Sequence, residues 1–301
     1  MIEIHNLHKR FGNIKAVSGL NLSVPSGQVT AFLGPNGAGK STTIKCLLNL
    51  HRPDQGNALV LGTDSRRLGP AHFTRIGYVS ENMELPLWMR VEQFLDYCRP
   101  LYPNWDRDFE ARLLRQLDLP VRTRLKELSR GMRMKAALLS SLAYRPELVI
   151  LDEPFSGLDP LVRDEFIHGL LELTGQEGWT VFVSSHDIEE VQRLADRIAI
   201  LHHGRLALEE TSESLQDRFR AVEIVLPNDT KPVASVPPDW LHLEQAGRTL
   251  RFTASRFTTE TALAAQIREI LPTARSHDTR ALSLREIFLA LARTYRLEGR
   301  S

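Results

Sequence analysis

The amino-acid sequence predicts an α/β fold that carries an inserted helical subdomain and is followed by a small α+β appendage. Three observations predict it. Short apolar runs bounded by Gly, Pro and polar residues alternate with helix-period segments up to about residue 220. Between about residues 86 and 145 that alternation gives way to amphipathic helices. Beyond residue 220 the texture changes again, so the chain reads as a domain over 1–220 and a smaller one over 221–301.

Taken in order, Val29–Leu33 predicts a short buried strand, and Ser41–Leu50 the helix after it. WMRVEQFLDYC and DFEARLLRQLDL predict two amphipathic helices with no strand between them, and a further helix is expected from about Gly131 to Tyr144. Leu148–Leu151 and Trp179–Ser184 predict two more buried strands, separated by the helix that contains Phe166, Leu170 and Leu171. Ile198–Leu201 and Leu206–Leu208 flank the turn HHGR and predict a hairpin. In the appendage, AVEIVLP, LHLEQ and TLRFTA predict strands. TETALAAQIREIL and LREIFLALARTY predict helices, the second opened by a capping box at Ser283 and Glu286. The Pro-rich stretch KPVASVPP breaks the appendage internally.

The 301 residues suffice for one large or two modest cores. With 38 Lys+Arg against 37 Asp+Glu the net charge is +1, so bulk electrostatics argue against a nucleic-acid partner. Cys46 and Cys98 stand far apart without metal-ligand spacing, consistent with a reducing compartment. The polar N-terminus MIEIHNLHKRFGN lacks the apolar segment of a signal peptide, and no apolar run reaches the roughly 18–20 residues that span a bilayer.

The strongest local signal is GPNGAGKST at 34–42, a strand-to-helix loop of the form G-x-x-x-x-G-K-[ST]. Gly34, Gly37 and Gly39, with Asn36 and Ala38 between them, let backbone N–H groups converge on phosphate oxygens. The helix N-terminus that follows, at Ser41 and Thr42, adds partial positive charge. Lys40 is expected to reach the terminal phosphates and Ser41 to place its hydroxyl on Mg²⁺. This is a nucleoside triphosphate site. LVILDEP then ends a buried strand in Asp152 and Glu153, at the edge of a parallel sheet where ligands bind. Asp152 is suited to hold Mg²⁺ and Glu153 to act as general base on water. VSSH ends the next strand in His186, within the same crevice, where it could meet the γ-phosphate. His202 and His203 belong to a hairpin turn and carry no chemistry.

KELSRGMRMK at 126–135 admits three readings: a helix start, a basic patch, or half of a phosphate site completed elsewhere. Ser129 is a good N-cap, and the free N–H groups of the first turn attract phosphate. Several of the basic residues around it are expected on the solvated side of the helix, Arg130 being the exception.

The ordered set GPNGAGKST, IGYVSE, LSRGM, LVILDEP, SGLD and SSH, over residues 1 to about 215, resembles the ATP-binding cassette (ABC) ATPases. The resemblance implies a P-loop NTPase fold: a RecA-like core, an N-terminal antiparallel β-subdomain and an inserted helical subdomain. Two such cassettes sandwich two ATP molecules head to tail. By position, Phe11 resembles the aromatic that stacks on adenine, although a core Phe is the alternative. Glu81 stands where the family usually has Gln, and keeps an oxygen for Mg²⁺. Ser129 and Gly131 match the segment that contacts ATP of the opposite subunit, with Arg130 and Met132 in place of Gly and Gln. Arg130 there could add a cationic contact to the γ-phosphate or weaken closure. Asp159 resembles the residue that couples the two sites, and His186 the switch histidine.

LSRGM, Glu81 and a short appendage together resemble bacterial exporter-type (ABC-2-like) subunits. That resemblance implies ATP and Mg²⁺ as ligands, a second ABC subunit (homo- or heterodimer) and a separate transmembrane permease as partners. It also implies a cytoplasmic location at the inner face of the membrane. The competing class, a soluble ABC protein acting on nucleic acid or ribosome, usually has two cassettes or long inserts, and this chain has neither. For residues 221–301 regulation, dimer contact and packing are all open, with packing or dimer contact the expectation.

Overall fold

The computed structural model describes residues 1–227 and 236–298, and Lys231–Ser235 of the Pro-rich stretch lie outside them. The chain forms two compact units, Met1–Glu209 and Glu210–Ser301.

The first unit runs β1 (Ile2–Phe11), β2 (Ile14–Val24), β3 (Val29–Leu33), α1 (Lys40–Leu47), β4 (Gln55–Val60) and β5 (Thr63–Asp64). It continues with α2 (Pro70–Phe73), β6 (Ile76–Ser80), α3 (Val91–Cys98), α4 (Arg107–Gln116), α5 (Arg130–Leu142) and β7 (Leu148–Asp152). Then come α6 (Pro160–Glu177), β8 (Thr180–Ser185), α7 (Ile188–Val191), β9 (Arg197–His202) and β10, which begins at Arg205 and ends at Thr211. Two sheets result, one ordered β2-β1-β4-β5 and one ordered β10-β9-β3-β8-β7-β6. The pairs of β1 with β2, β1 with β4 and β4 with β5 are antiparallel, and β9-β3-β8-β7-β6 pair in parallel.

β3, β7 and β8 are buried at every position, which is why VTAFL, LVILD and TVFVSS read as continuous apolar runs rather than alternating ones. The two sheets share one core in which Ile2, Leu20, Val60, Phe32, Ile44, Ile150 and Phe182 meet. α5 follows Ser129, whose Oγ accepts from Met132 N at 3.2 Å, and buries Leu138, Leu139 and Leu142. Two hydrogen bonds seat α5 and its C-terminal end against β6: Ser141 Oγ donates to Tyr78 O at 2.9 Å and Tyr144 Oη to Ile76 O at 2.8 Å. Tyr144 in turn stacks on Tyr102, with ring centroids 3.9 Å apart. The helical insertion is therefore anchored beside the strand that leads into Glu81.

Lys135 is not on a solvated face: it is 9% exposed, and its Nζ lies 2.9 Å from Glu165 Oε2 on α6. The helix turns that position toward α6, and the long aliphatic stem is buried while the ammonium finds a carboxylate. Lys126 and Arg130 are exposed, and Arg133 is half-buried.

The second unit contains α8 (Ser212–Arg218), β11 (Arg220–Val225), β12 (Trp240–Ala246), β13 (Thr249–Ala254), α9 (Glu260–Ile270), β14 (Ser276–Ala281) and α10 (Leu284–Glu298). Its sheet is ordered β12-β13-β11-β14, and Leu263, Ile267 and Leu271 pack on Val222, Ile224, Trp240 and Phe252. The capping box forms as read: Glu286 N donates to Ser283 Oγ at 3.3 Å and Ser283 N to Glu286 Oε2 at 2.9 Å. β14, SHDTRA, has no apolar alternation to announce it and exists through its antiparallel register with β11.

Ile150 lies fully buried at the middle of β7. Ile150→Ala should cost about 2–5 kcal/mol, because the cavity left between two packed faces cannot collapse. A lowered midpoint in urea unfolding, with the slope unchanged, is the expected result.

Candidate functional site

The ends of β3, β7 and β8 lie side by side, with Leu33 opposite Ser185 and Asp152 opposite Ser184. β3 runs into the loop 34–39, whose last residue, Gly39, caps α1 with φ +107°. Only glycine is comfortable there, and a Cβ would also sit 2.2 Å from Ala16 O. The backbone consequently passes close beneath β2, and α1 begins with its free N–H groups facing a cavity of about 560 Å³. Asn36, Gly37, Ala38, Gly39, Lys40, Ser41 and Thr42 line that cavity, with Glu81, Glu153, Ser156 and His186 on its other walls. Gly34 is buried just behind, its N–H donating to Ser185 O at 3.3 Å.

Lys40 is 5% exposed, yet its ammonium is fully partnered. It donates to Gly34 O at 2.6 Å and lies 3.0 Å from Glu153 Oε1. The other carboxylate oxygen of Glu153 meets His186 Nδ1 at 2.8 Å. Glu153 has φ +53°, a left-handed conformation unusual for a residue with a side chain. Ser184 Oγ supports it by accepting from Glu153 N at 3.0 Å. The same Oγ donates to Asp152 Oδ1 at 2.7 Å, and Ser41 Oγ donates to that oxygen at 3.0 Å. Ser184 was not singled out in the sequence. Its signal is a polar residue at the buried end of an apolar strand, and its meaning depends on the β7–β8 register.

Burial pushes the Asp152 carboxyl above its ordinary range, against the opposing hydrogen bonds from Ser184 and Ser41. A buried carboxylate beside a hydroxyl, both hard oxygen donors, fits a divalent cation. The hydrogen bond to Glu153 raises the His186 imidazole above its ordinary value, and partial burial opposes this. Glu153, His186 and Glu190 also bring ligand-capable atoms within 4.8 Å of one another. Their partners are internal, however: Glu153 is held by His186 and Lys40, and Ser185 Oγ donates to buried Glu190.

The remaining sequence candidates lie outside this cavity's lining. Phe11 pairs with Ile14 at the tip of the β1–β2 hairpin, and Ile14, Lys15 and Ala16 continue into the cavity wall. At 44% exposure Phe11 is no core residue; its ring meets His51 edge-on at 5.3 Å. Ser129 caps α5, Gly131 packs where a Cβ would meet Val162 Cγ1 at 2.4 Å, and Asp159 caps α6 by accepting from Val162 N at 3.1 Å. Arg130 is exposed, and its Nη2 donates to Glu81 Oε1 at 2.6 Å.

This geometry can be set beside known proteins. The family described as "ABC transporter" matches residues 17–156. The bacitracin transport ATP-binding protein BcrA of Enterococcus faecalis is 30% identical over 245 residues, 81% of this chain and 80% of that protein. The chain belongs to the ABC transporter ATP-binding proteins. The daunorubicin resistance ATP-binding protein DrrA3 of Streptomyces coeruleorubidus is 38% identical over 71% of this chain and 69% of its own length. The chain spans 65% of the sulfate/thiosulfate import ATP-binding protein CysA of Burkholderia mallei, at 33% identity. Among solved structures, an ATP-binding subunit of an ABC transporter superposes with a TM-score of 0.64 at 26% identity, covering 72% of this chain and 92% of that one. A cassette, MJ0796, solved as a dimer in a post-hydrolysis state bound to ADP and Pi gives 0.62 at 25% identity, covering 70% and 98%. These superpositions bear out the P-loop NTPase fold expected of this ABC cassette.

The His186–Glu153 contact has a pH consequence with a definite sign. The folded imidazole has a raised pKa, so its stabilisation is complete below the unfolded value of 6.5 and is lost as pH rises through the folded value. Urea midpoints of the nucleotide-free chain should fall over that interval above 6.5, and His186→Ala should flatten this part of the profile.

Proposed function

We propose that this chain binds Mg-ATP in the loop cavity and hydrolyses it, as the motor subunit of a transporter whose permease is a separate polypeptide. The observation that carries the reading is Glu153 poised between Lys40 and His186, one residue beyond the buried Asp152–Ser41 pair. Lys40, now satisfied by Gly34 O and Glu153, exchanges these partners for the β- and γ-phosphates, which the amides of Asn36, Gly37, Gly39 and Thr42 cradle while Gly34 and Ala38, their own N–H groups donating to Ser185 O and Pro35 O, hold the loop's shape. Glu153 is then free to accept a proton from water aimed at the γ-phosphorus, while His186 holds its second oxygen and contacts the departing phosphate. Ser41, Asp152 and Glu81 are the residues that would hold Mg²⁺, which when bound neutralises the phosphate charge. Phe11, at the hairpin tip, is assigned to the adenine face.

Ser129, Gly131 and Asp159 stand away from this cavity and are assigned to a second cassette's nucleotide, in a dimer that ATP closes and hydrolysis reopens. The relative solved as a dimer with ADP and Pi supports that arrangement. Among the described residues no helix is long and apolar enough to cross a membrane, so the transport step calls for a permease. The exposed Trp88, Tyr97 and Leu101 of the helical insertion offer it an apolar surface, and docking there would hold the chain at the inner membrane face. Export is supported by the relatives named for bacitracin transport and daunorubicin resistance, and importers are also among the relatives.

Glu153→Gln should lower phosphate release by the permease-bound chain at least about a hundredfold, the scale of a lost general base, while nucleotide binding persists. Lys40→Ala should lose binding itself. Wild-type chain that binds ATP but releases no phosphate with its permease would sink this function.

A further inference from the structure

Three segments of the first unit converge on one oxygen atom. Glu81 Oε1 accepts from Arg130 Nη2 at 2.6 Å and from Ser156 Oγ at 2.9 Å. Glu81 follows β6, Arg130 is the first residue of α5, and Ser156 lies between β7 and α6. The guanidinium lies over Gly157, where φ is +66° and a Cβ would meet Arg130 Nη1 at 2.6 Å. The loop therefore makes room for this arginine with the residue that has no side chain. Glu81 also lines two cavities, the one around Lys40 and a second of about 440 Å³ that it shares with Arg130, Arg133 and Met134.

Charge bookkeeping then separates the two acids that line the loop cavity. Glu153 is neutralised by Lys40 and His186. Glu81 is neutralised by Arg130. A polyanion entering that cavity alone gains nothing from Glu81, whereas a divalent cation arriving with it would claim the same oxygen that Arg130 now holds.

We propose that Arg130 is a positioning residue which occupies Glu81 in the nucleotide-free chain and competes with the divalent cation of Mg-nucleotide for it. Loading the cavity exchanges Arg130 for the cation at Glu81, and this frees the N-terminus of α5 to move with its helical subdomain. The pair thus couples metal-nucleotide loading to the element that carries Ser129 and Gly131. This rests on the reading of the cavity as a Mg-ATP site. Arg130 is 46% and Glu81 28% exposed at the side chain, so the competition is modest and readily reversed.

The test uses the full chain, kept dilute and monomeric by sedimentation, with a fluorescent ATP analogue at fixed concentration titrated with Mg²⁺. Arg130→Gln should lower the Mg²⁺ midpoint by roughly two- to fivefold, the range of an exposed ion pair. Arg130→Lys, which keeps the charge, should stay nearer wild type. In a Glu81→Gln background Arg130→Gln should change nothing further. Urea midpoints of the four chains without nucleotide should be non-additive, because the pair exists before loading. Equal Mg²⁺ shifts in both backgrounds, a raised midpoint in Arg130→Gln, or additive urea midpoints would overturn the proposal while Lys40-dependent binding keeps the nucleotide site. A wild-type chain that binds no analogue would overturn the site and the proposal together.

Discussion

Four parallel strands, β3, β8, β7 and β6, end side by side because their main chains share one hydrogen-bonded register. Everything at the mouth of the sheet depends on that register. It sets Asp152 beside Ser184, Leu33 beside Ser185 and Ser80 beside Asp152. A slip of one residue would turn every side chain to the opposite face. Because these strands are buried on both sides, that slip would place the carboxylate of Asp152 against hydrocarbon, which is costly enough to exclude it.

The register also explains how charge is tolerated in a nearly dry place. Lys40, Asp152 and Glu153 are each less than a tenth exposed, and each finds compensation within the loop or the next strand. Ser184 serves two masters, the Asp152 oxygen and the Glu153 amide, and so helps hold Glu153 in its left-handed conformation. Strain of that kind persists only where neighbours over-determine it. The backbone of such a site is held in place by its own hydrogen bonds, while Lys40 is paired with Gly34 O and Glu153.

Around this mouth the helical insertion is attached by contacts between residues far apart in the sequence. Ser141 and Tyr144 seat α5 and its C-terminal end on β6, while its first turn is tied to the mouth through Arg130, Glu81 and Ser156. One end is fastened by hydrogen bonds to backbone, and the other by the packing of Gly131 on Val162 together with an exposed ion pair.

The α/β core and the loop 34–42 were legible in the sequence because their signals are local. Apolar runs, a glycine pattern between strand and helix, and a serine before an apolar helix each act over a few residues. The capping box at Ser283 and Glu286 was legible for the same reason. β14 was not, since an exposed polar strand is stabilised by its neighbour and not by its own composition. Nor does the sequence show that Lys135 faces α6, because that side of α5 is chosen by packing. Arg130 and Glu81 were each noticed as departures, but their meeting across 49 residues has no local signal. The sequence by itself determined which chemistry the strand ends carry. Only the tertiary structure decided which charges neutralise each other there, because pairing is set by where distant segments are brought together in space.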